Sequence, residues 1–231
     1  RIDKAAERGT LPYWYKDNPQ YLIKQEPFVL TEKDVQVLRQ SNFNAIDVMK
    51  YNSSSVKGFD IIALNRDLEK EFDKAEIYVK SKRLYLFPNG NASLSYEGKN
   101  DKQEEFYMKR SFRKEGDGAV YVYHDSLFIP KSLQGKGFGK EIFKSLYRQY
   151  KRANVQYVAL KANLDVGGYA WARYGFSANV EDVLQAIQAN EKALRIFRAW
   201  EAEHPQEKFF PMNLIARENF GKDVLLGSHW N

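Results

Sequence analysis

The stretch that decides the reading is FIPKSLQGKGFGKEIF, residues 128–143. A β-prone run stops at Pro130, glycines fall at alternate positions 135, 137 and 139, and an apolar pattern of helical spacing begins at once. Proline closes the strand because it has no N–H to give a ladder. Alternating glycines let the main chain take left-handed turns and approach a ligand closely. A helix entered in this way presents unpaired N–H groups and the positive end of its dipole, which together favour an anion. Lys136 and Lys140 add charge. The pattern therefore points to phosphate; the plainer reading of the same residues is a tight strand-to-helix turn with solvated lysines.

Two familiar phosphate loops do not fit. A P-loop requires GxxxxGK[ST], but Gly139-Lys140 is followed by Glu141 and no glycine stands five residues before Gly139. A dinucleotide fingerprint requires GxGxxG after the first strand of a βαβ unit, with a ribose-binding acid further on. Here the spacing is Gly135-x-Gly137-x-Gly139, after what reads as an antiparallel meander.

Upstream, RLYLFPNGNASLSYEG (83–98) sets Asn89-Gly90 between two β-prone runs, a hairpin signal. A second hairpin is expected from strands at 104–112 and 119–129 around Gly116-Asp117-Gly118. Earlier still, Thr31 with Asp34 three residues on marks a helix start, with Val35, Leu38 and Phe43 as its apolar face, and another helix is expected at 65–75. Residues 1–30 read as irregular, with Trp14 and Tyr15 as anchors. Downstream, Ile142, Phe143, Leu146, Tyr147 and Tyr150 keep helical spacing. Lys140, Lys144, Arg148, Lys151 and Arg152 fall largely elsewhere on the wheel. A strand at 155–163 follows, then a short helix ending at Gly175. One long helix is expected from Asn179 to about His204, with Val183, Ile187, Leu194, Phe197 and Trp200 as its buried stripe. Antiparallel strands followed by a strand–helix–strand unit predict an α+β, mixed α/β fold.

Gln134-Gly135-Lys136-Gly137-Phe138-Gly139 satisfies Q-x-x-G-x-G, and the whole of 128–143 resembles the acetyl-CoA loop of the GNAT-superfamily N-acetyltransferases. The proline-ended strand before it, the apolar helix after it, a next strand ending at Asn163 and the segment WARYGF (171–176) extend the resemblance over roughly 85–180. It implies a mixed, mostly antiparallel GNAT-like sheet flanked by helices, with N- and C-terminal extensions. The expected layout is an N-terminal helical and irregular extension over 1–80, an acyl-CoA-binding core over 81–180, and a C-terminal helix and tail over 181–231.

The resemblance also implies a chemistry: an amine attacks the thioester of acetyl-CoA directly. Main-chain donors of Leu127, Phe128 and Ile129 would polarise the thioester carbonyl. Gln134, Gly135, Lys136, Gly137, Phe138, Gly139 and Lys140 would hold the diphosphate, and Asn163 would contact the CoA arm. Lys131, Lys144 or Arg148 would reach the 3′-phosphate. His124 and Asp125 occupy the strand region where members of the family carry a base, and strand alternation places the two on opposite faces. Histidine's ordinary pKa of about 6.5 suits a base at neutral pH. The family's acid is commonly a tyrosine at the position held here by Trp171, so Tyr169 and Tyr174 stand as substitutes.

Composition bounds the rest. The chain has 231 residues, 43% of them hydrophobic and 15% aromatic, enough for a packed core. It contains no cysteine, which excludes thiolate nucleophiles and cysteine zinc sites. Its three histidines form no HExxH pair, and no metal site is expected. No apolar run reaches the span of about 18 residues that a membrane helix needs, and no signal-peptide pattern is present, so the expected location is the cytoplasm and no membrane partner is expected. Arg1 at the start and GSHWN at the end suggest a processed or excised segment. A net charge of +6 favours an acidic partner. The amine acceptor is unknown: a small molecule, a protein or aminoacyl-tRNA. The alternatives are a non-enzymatic basic module that binds nucleic acid through the helix at 140–152, and a GNAT-like toxin or phage-encoded domain acting on a nucleic-acid-linked amine.

Overall fold

The computed structural model describes residues 32–46, 59–86, 91–114, 120–162 and 167–226. Trp14, Tyr15, Thr31, both predicted hairpin turns and Asn163 lie outside these residues. The chain divides into two compact units, one within 20–159 and the other including 160–231. This differs from the expected core of 81–180, because the first unit takes in the helices and strands before residue 81.

In the first unit α1 (Glu32–Gln40) leads into β1 (Phe43–Ile46), and α2 (Ile61–Lys74) into β2 (Ile77–Leu86). Then come β3 (Ala92–Asn100), β4 (Glu105–Lys114), β5 (Val120–Phe128), α3 (Phe138–Arg152) and β6 (Val155–Leu160). The six strands form one sheet in sequence order. β1 runs parallel to β2, whereas β2–β3, β3–β4 and β4–β5 are antiparallel, as both hairpin signals predict. The chain thus has a mixed α/β fold with a largely antiparallel sheet flanked by helices. Phe43 belongs to a strand and not to the face of the first helix, because Asn42 at φ 62 has already turned the chain.

One face of the sheet carries the core. Leu84, Leu94, Tyr96, Phe106, Met108, Phe112 and Val122 are buried there at period two. Ile61, Leu64, Leu68 and Phe72 of α2 and Ile142, Phe143, Leu146, Tyr147 and Tyr150 of α3 supply the opposing layer. The rings interlock: Phe106 meets Phe72 at 5.1 Å and Phe138 at 5.8 Å between centroids, and Phe112 meets Tyr150 at 6.0 Å. Each such ring contributes about 1.5–3 kcal/mol by leaving water.

The two helices are also tied by charge. The Asp60 carboxylate accepts from Ala63 N–H at 2.8 Å, capping α2, and pairs with Arg152 at 3.1 Å. Gln149 Oε1 accepts from Asp60 N–H at 3.1 Å, and Arg148 meets Asp67 at 3.2 Å.

The second unit contains α4 (Gly167–Arg173), β7 (Ser177–Asn179), α5 (Val180–Ile187), α6 (Glu191–Glu203), β8 (Phe209–Pro211), α7 (Asn213–Ala216) and α8 (Gly221–Leu226). The single long helix expected over 179–204 is two helices. Asn179 caps the first, accepting from Glu181 N–H at 2.8 Å, and Asn190 caps the second, accepting from Ala193 N–H at 3.0 Å. Val183, Ile187, Phe197 and Trp200 are buried as expected, and Leu194 is partly buried. Val183, Ile187, Phe197 and Trp200 share a core with Phe210, Met212, Ile215 and Leu225, so the segment read as a tail contributes to a core of its own. Gly175 sits at φ 89 just after α4, where a helix C-terminus favours glycine. No helix among the described residues is long and apolar enough to cross a membrane.

Candidate functional site

The loop between β5 and α3 is built as the glycine spacing predicts. A single 3₁₀ turn at Lys131–Leu133 follows Pro130, and then Gly135 (φ 72) and Gly137 (φ 86) both take the left-handed region. Gly137 is the N-cap of the 15-residue helix α3. A Cβ added at either glycine would meet nothing within 4 Å, so both face open space.

The amides fall into two sets. The N–H groups of Gln134, Lys136, Lys140 and Glu141 donate within the loop, to the carbonyls of Lys131, Leu133, Gly137 and Gly137. Those of Gly135, Gly137, Phe138 and Gly139 donate to no protein acceptor among the described residues. Four bare donors at a helix N-terminus beside the exposed Lys136 are an arrangement that favours an anion. The Gln134 side chain, expected to take part in the grip, instead turns back. Its Nε2 donates to Ile129 O at 3.0 Å and braces the loop against the end of the strand.

A second brace holds the 3₁₀ turn. Ser132 N–H and Oγ–H both donate to Glu104 Oε2, the former at 3.2 Å, and Asn100 Nδ2 donates to Glu104 Oε2 at 2.8 Å and to Ser132 Oγ at 2.9 Å. Bonding from Ser132 and Asn100 lowers the Glu104 pKa. The brace is therefore intact above the ordinary carboxylate range and loosens as pH falls through the lowered value.

On the strand side, β4 and β5 keep register except between Lys109 and Ser111. One residue there, Arg110, opposes two, His124 and Asp125. This β-bulge overturns the expectation that alternation separates His124 from Asp125, because the extra residue lets both neighbour Arg110. His124 is 4% exposed, shares a 2.9 Å hydrogen bond with the Tyr150 hydroxyl and lies against Phe143. Burial, with the nearby Arg110 guanidinium second, holds its pKa well below the usual value. Burial likewise pushes the Tyr150 phenol up. Asp125 is half-buried, with Oδ2 enclosed.

The His124 shift has a definite sign. The folded state keeps the ring neutral while the unfolded chain takes up a proton near about pH 6.5. Stability is full above that value and falls as pH is lowered toward the depressed folded pKa. Urea midpoints should therefore drop between pH 7 and pH 5, and His124→Gln, which retains a partner for Tyr150, should flatten that slope. An equal slope in the variant would remove His124 as its source.

Beyond the bulge, Leu127 and Phe128 resume pairing with Met108 and Tyr107, and the Phe128 side chain is 58% exposed. β6 neighbours β5 in the sheet. Tyr121 near the start of β5 stacks on Tyr157 of β6 at 5.0 Å and 7°.

The basic face of α3 is largely committed to other groups. Lys144 pairs with Glu141, Arg148 with Asp67 and Arg152 with Asp60. Sequence spacing shows the cations on α3 but not Asp60 and Asp67, which the fold brings from α2. Tyr169 and Tyr174 belong to the second unit. There Tyr169 packs on that unit's core beneath Arg173, and Tyr174 contacts Trp171 at 5.9 Å. Sequence reasoning missed Arg110: its place midway between Met108 and Phe112 puts it in the inward phase of β4, but its charge argues against burial. No cluster of potential metal ligands occurs among the described residues. No protein-family model matches the chain, and a search of curated proteins finds no match.

Proposed function

We infer that the first unit binds an acyl-CoA, with acetyl-CoA the expected donor, and transfers the acyl group to an amine. The observation that carries this reading is the set of four N–H groups on Gly135, Gly137, Phe138 and Gly139 with no protein acceptor among the described residues, at the start of α3 beside two glycines that face open space. Such donors suit a phosphate group, with Lys131 and Lys136 as the nearby cations not committed to the ion pairs of α3. The bulge in β5 supports a place for the pantetheine arm along the Leu127–Ile129 edge.

The reaction balances without a metal or a covalent enzyme intermediate. The amine lone pair attacks the thioester carbon, the C–S bond breaks, CoA departs as thiolate and the amine proton passes to a base. Main-chain N–H groups of Leu127, Phe128 or Ile129 would stabilise the developing oxyanion. Asp125 suits the role of base better than His124, because His124 is enclosed, bonded to Tyr150 and depressed in pKa. The acid roles expected of Tyr169 and Tyr174 are not required, since a thiolate is an adequate leaving group.

Thermal shift with acetyl-CoA tests the reading. A ligand at a hundredfold excess over Kd should add about 2.7 kcal/mol of stability. Acetyl-CoA that leaves the transition unmoved, at concentrations up to millimolar, would defeat the proposal. Because the chain has no cysteine, released CoA can then be followed with a thiol reagent free of protein background, across a panel of candidate amines.

A further inference from the structure

We propose that Arg110 is a positioning residue for acyl transfer: its buried guanidinium fixes the β5 bulge and so sets the main-chain donors at Leu127–Ile129. This rests on the acyl-transfer reading above and adds to it a residue that the loop motif does not contain.

Arg110 is wholly enclosed, at 0% exposure. Its Nη1 donates to Lys109 O at 2.7 Å and to Ser126 O at 2.6 Å. Lys109 and Ser126 are facing residues, the last regular rung before the register breaks. A bulge disturbs the ladder locally and leaves main-chain groups short of partners. Here one guanidinium nitrogen bridges both carbonyls of that rung. The strand then resumes pairing at Leu127 and Phe128, so the point at which β5 straightens is set by the Arg110 side chain.

Stability alone does not account for a charge at this position. Moving an ion into the interior costs several kcal/mol, and a well-packed apolar residue of similar volume is often as stable or better. Beyond the Tyr150 hydroxyl that lies against the guanidinium, Arg110 Nε and Nη2 make no hydrogen bond of good geometry among the described residues, and Asp125 Oδ2 is enclosed in the same condition. Asp125, His124 and Tyr150 all bear electrostatically on this guanidinium. In some proteins a buried charge is retained for the specific geometry it imposes, which is the role proposed for Arg110. Displacing reacting groups by about 1 Å can cost about a hundredfold in rate, which gives such geometry its value.

The test compares wild type with Arg110→Met, of similar length and apolar, and with Arg110→Lys. Amide chemical shifts are followed on adding CoA and then acetyl-CoA. In wild type, both ligands should move the Gly137 and Phe138 amides, and acetyl-CoA should move one or more of the Leu127–Ile129 amides further than CoA does. In Arg110→Met the loop response should persist and the thioester-specific response should disappear. With hydroxylamine as acceptor and thiol release as readout, kcat should fall roughly tenfold to a hundredfold while KM for acetyl-CoA stays within about twofold. Arg110→Lys should recover part of both signals, and it carries the comparison if Arg110→Met does not fold. An unchanged thioester-specific response and kcat in the folded variants would overturn the role of Arg110 while leaving the acyl-CoA reading intact. A wild type whose loop amides ignore both ligands would overturn that reading, and this proposal with it.

Discussion

Gly137→Val should weaken acetyl-CoA binding by at least tenfold, and toward a hundredfold, while leaving a folded protein. Gly137 sits at φ 86 as the N-cap of α3, a conformation that a β-branched residue adopts only with strain of about 1–3 kcal/mol. No neighbouring atom lies within 4 Å of the added Cβ, so the cost arises in the main chain and not from a clash in the core. The chain can relieve it by rotating the peptides on either side, which redirects the bare donors of Gly137 and Phe138. The new methyl groups would also occupy the open space beside Gly137. Calorimetric titration of acetyl-CoA into wild type and variant, with circular dichroism to confirm the fold, gives the comparison. A variant that binds as wild type does would show that the loop amides are not the ligand's grip.

The second large effect concerns the core. Phe106→Ala should destabilise the first unit by about 3–5 kcal/mol, lowering its thermal midpoint by roughly 10 °C. The Phe106 ring is fully enclosed and joins three elements: it lies on β4, meets Phe72 of α2 at 5.1 Å and meets Phe138, the first residue of α3, at 5.8 Å. The cavity would open directly beneath the proposed anion site, so acetyl-CoA affinity should decline along with stability. A midpoint shift below about 2 °C would mean that the neighbouring rings close over the gap and that Phe106 does not link the loop to the core.

Local signals made much of the sheet legible. Asn89-Gly90 and Gly116-Asp117-Gly118 each separate β-prone runs, and both pairs of flanking strands are antiparallel partners. The loop glycines were equally readable, because left-handed backbone is a property of the residue itself. What spacing could not show depends on a second segment. The bulge at His124–Asp125 exists only relative to Arg110 on the facing strand. The pairing of Arg148 and Arg152 depends on Asp67 and Asp60, some 80 to 90 residues away. The break before α6 was hidden for another reason. Apolar residues on both sides of Gln188–Asn190 continue in one helical phase, and only the capping bond of Asn190 to Ala193 reveals a new start. Short β1 was missed because four residues carry too little pattern to distinguish a strand from a loop.

The Asp60–Arg152 pair has a direction. Asp60 stands at the N-terminus of α2 and Arg152 in the last turn of α3, so each charge is also stabilised by the dipole of its own helix, by about 0.3–1 kcal/mol. Exchanging the two residues would preserve the attraction between them but set each against its own helix and strip α2 of its cap. The antiparallel seam between these helices is therefore polarised, and its charges are not interchangeable even though the bond between them is symmetric.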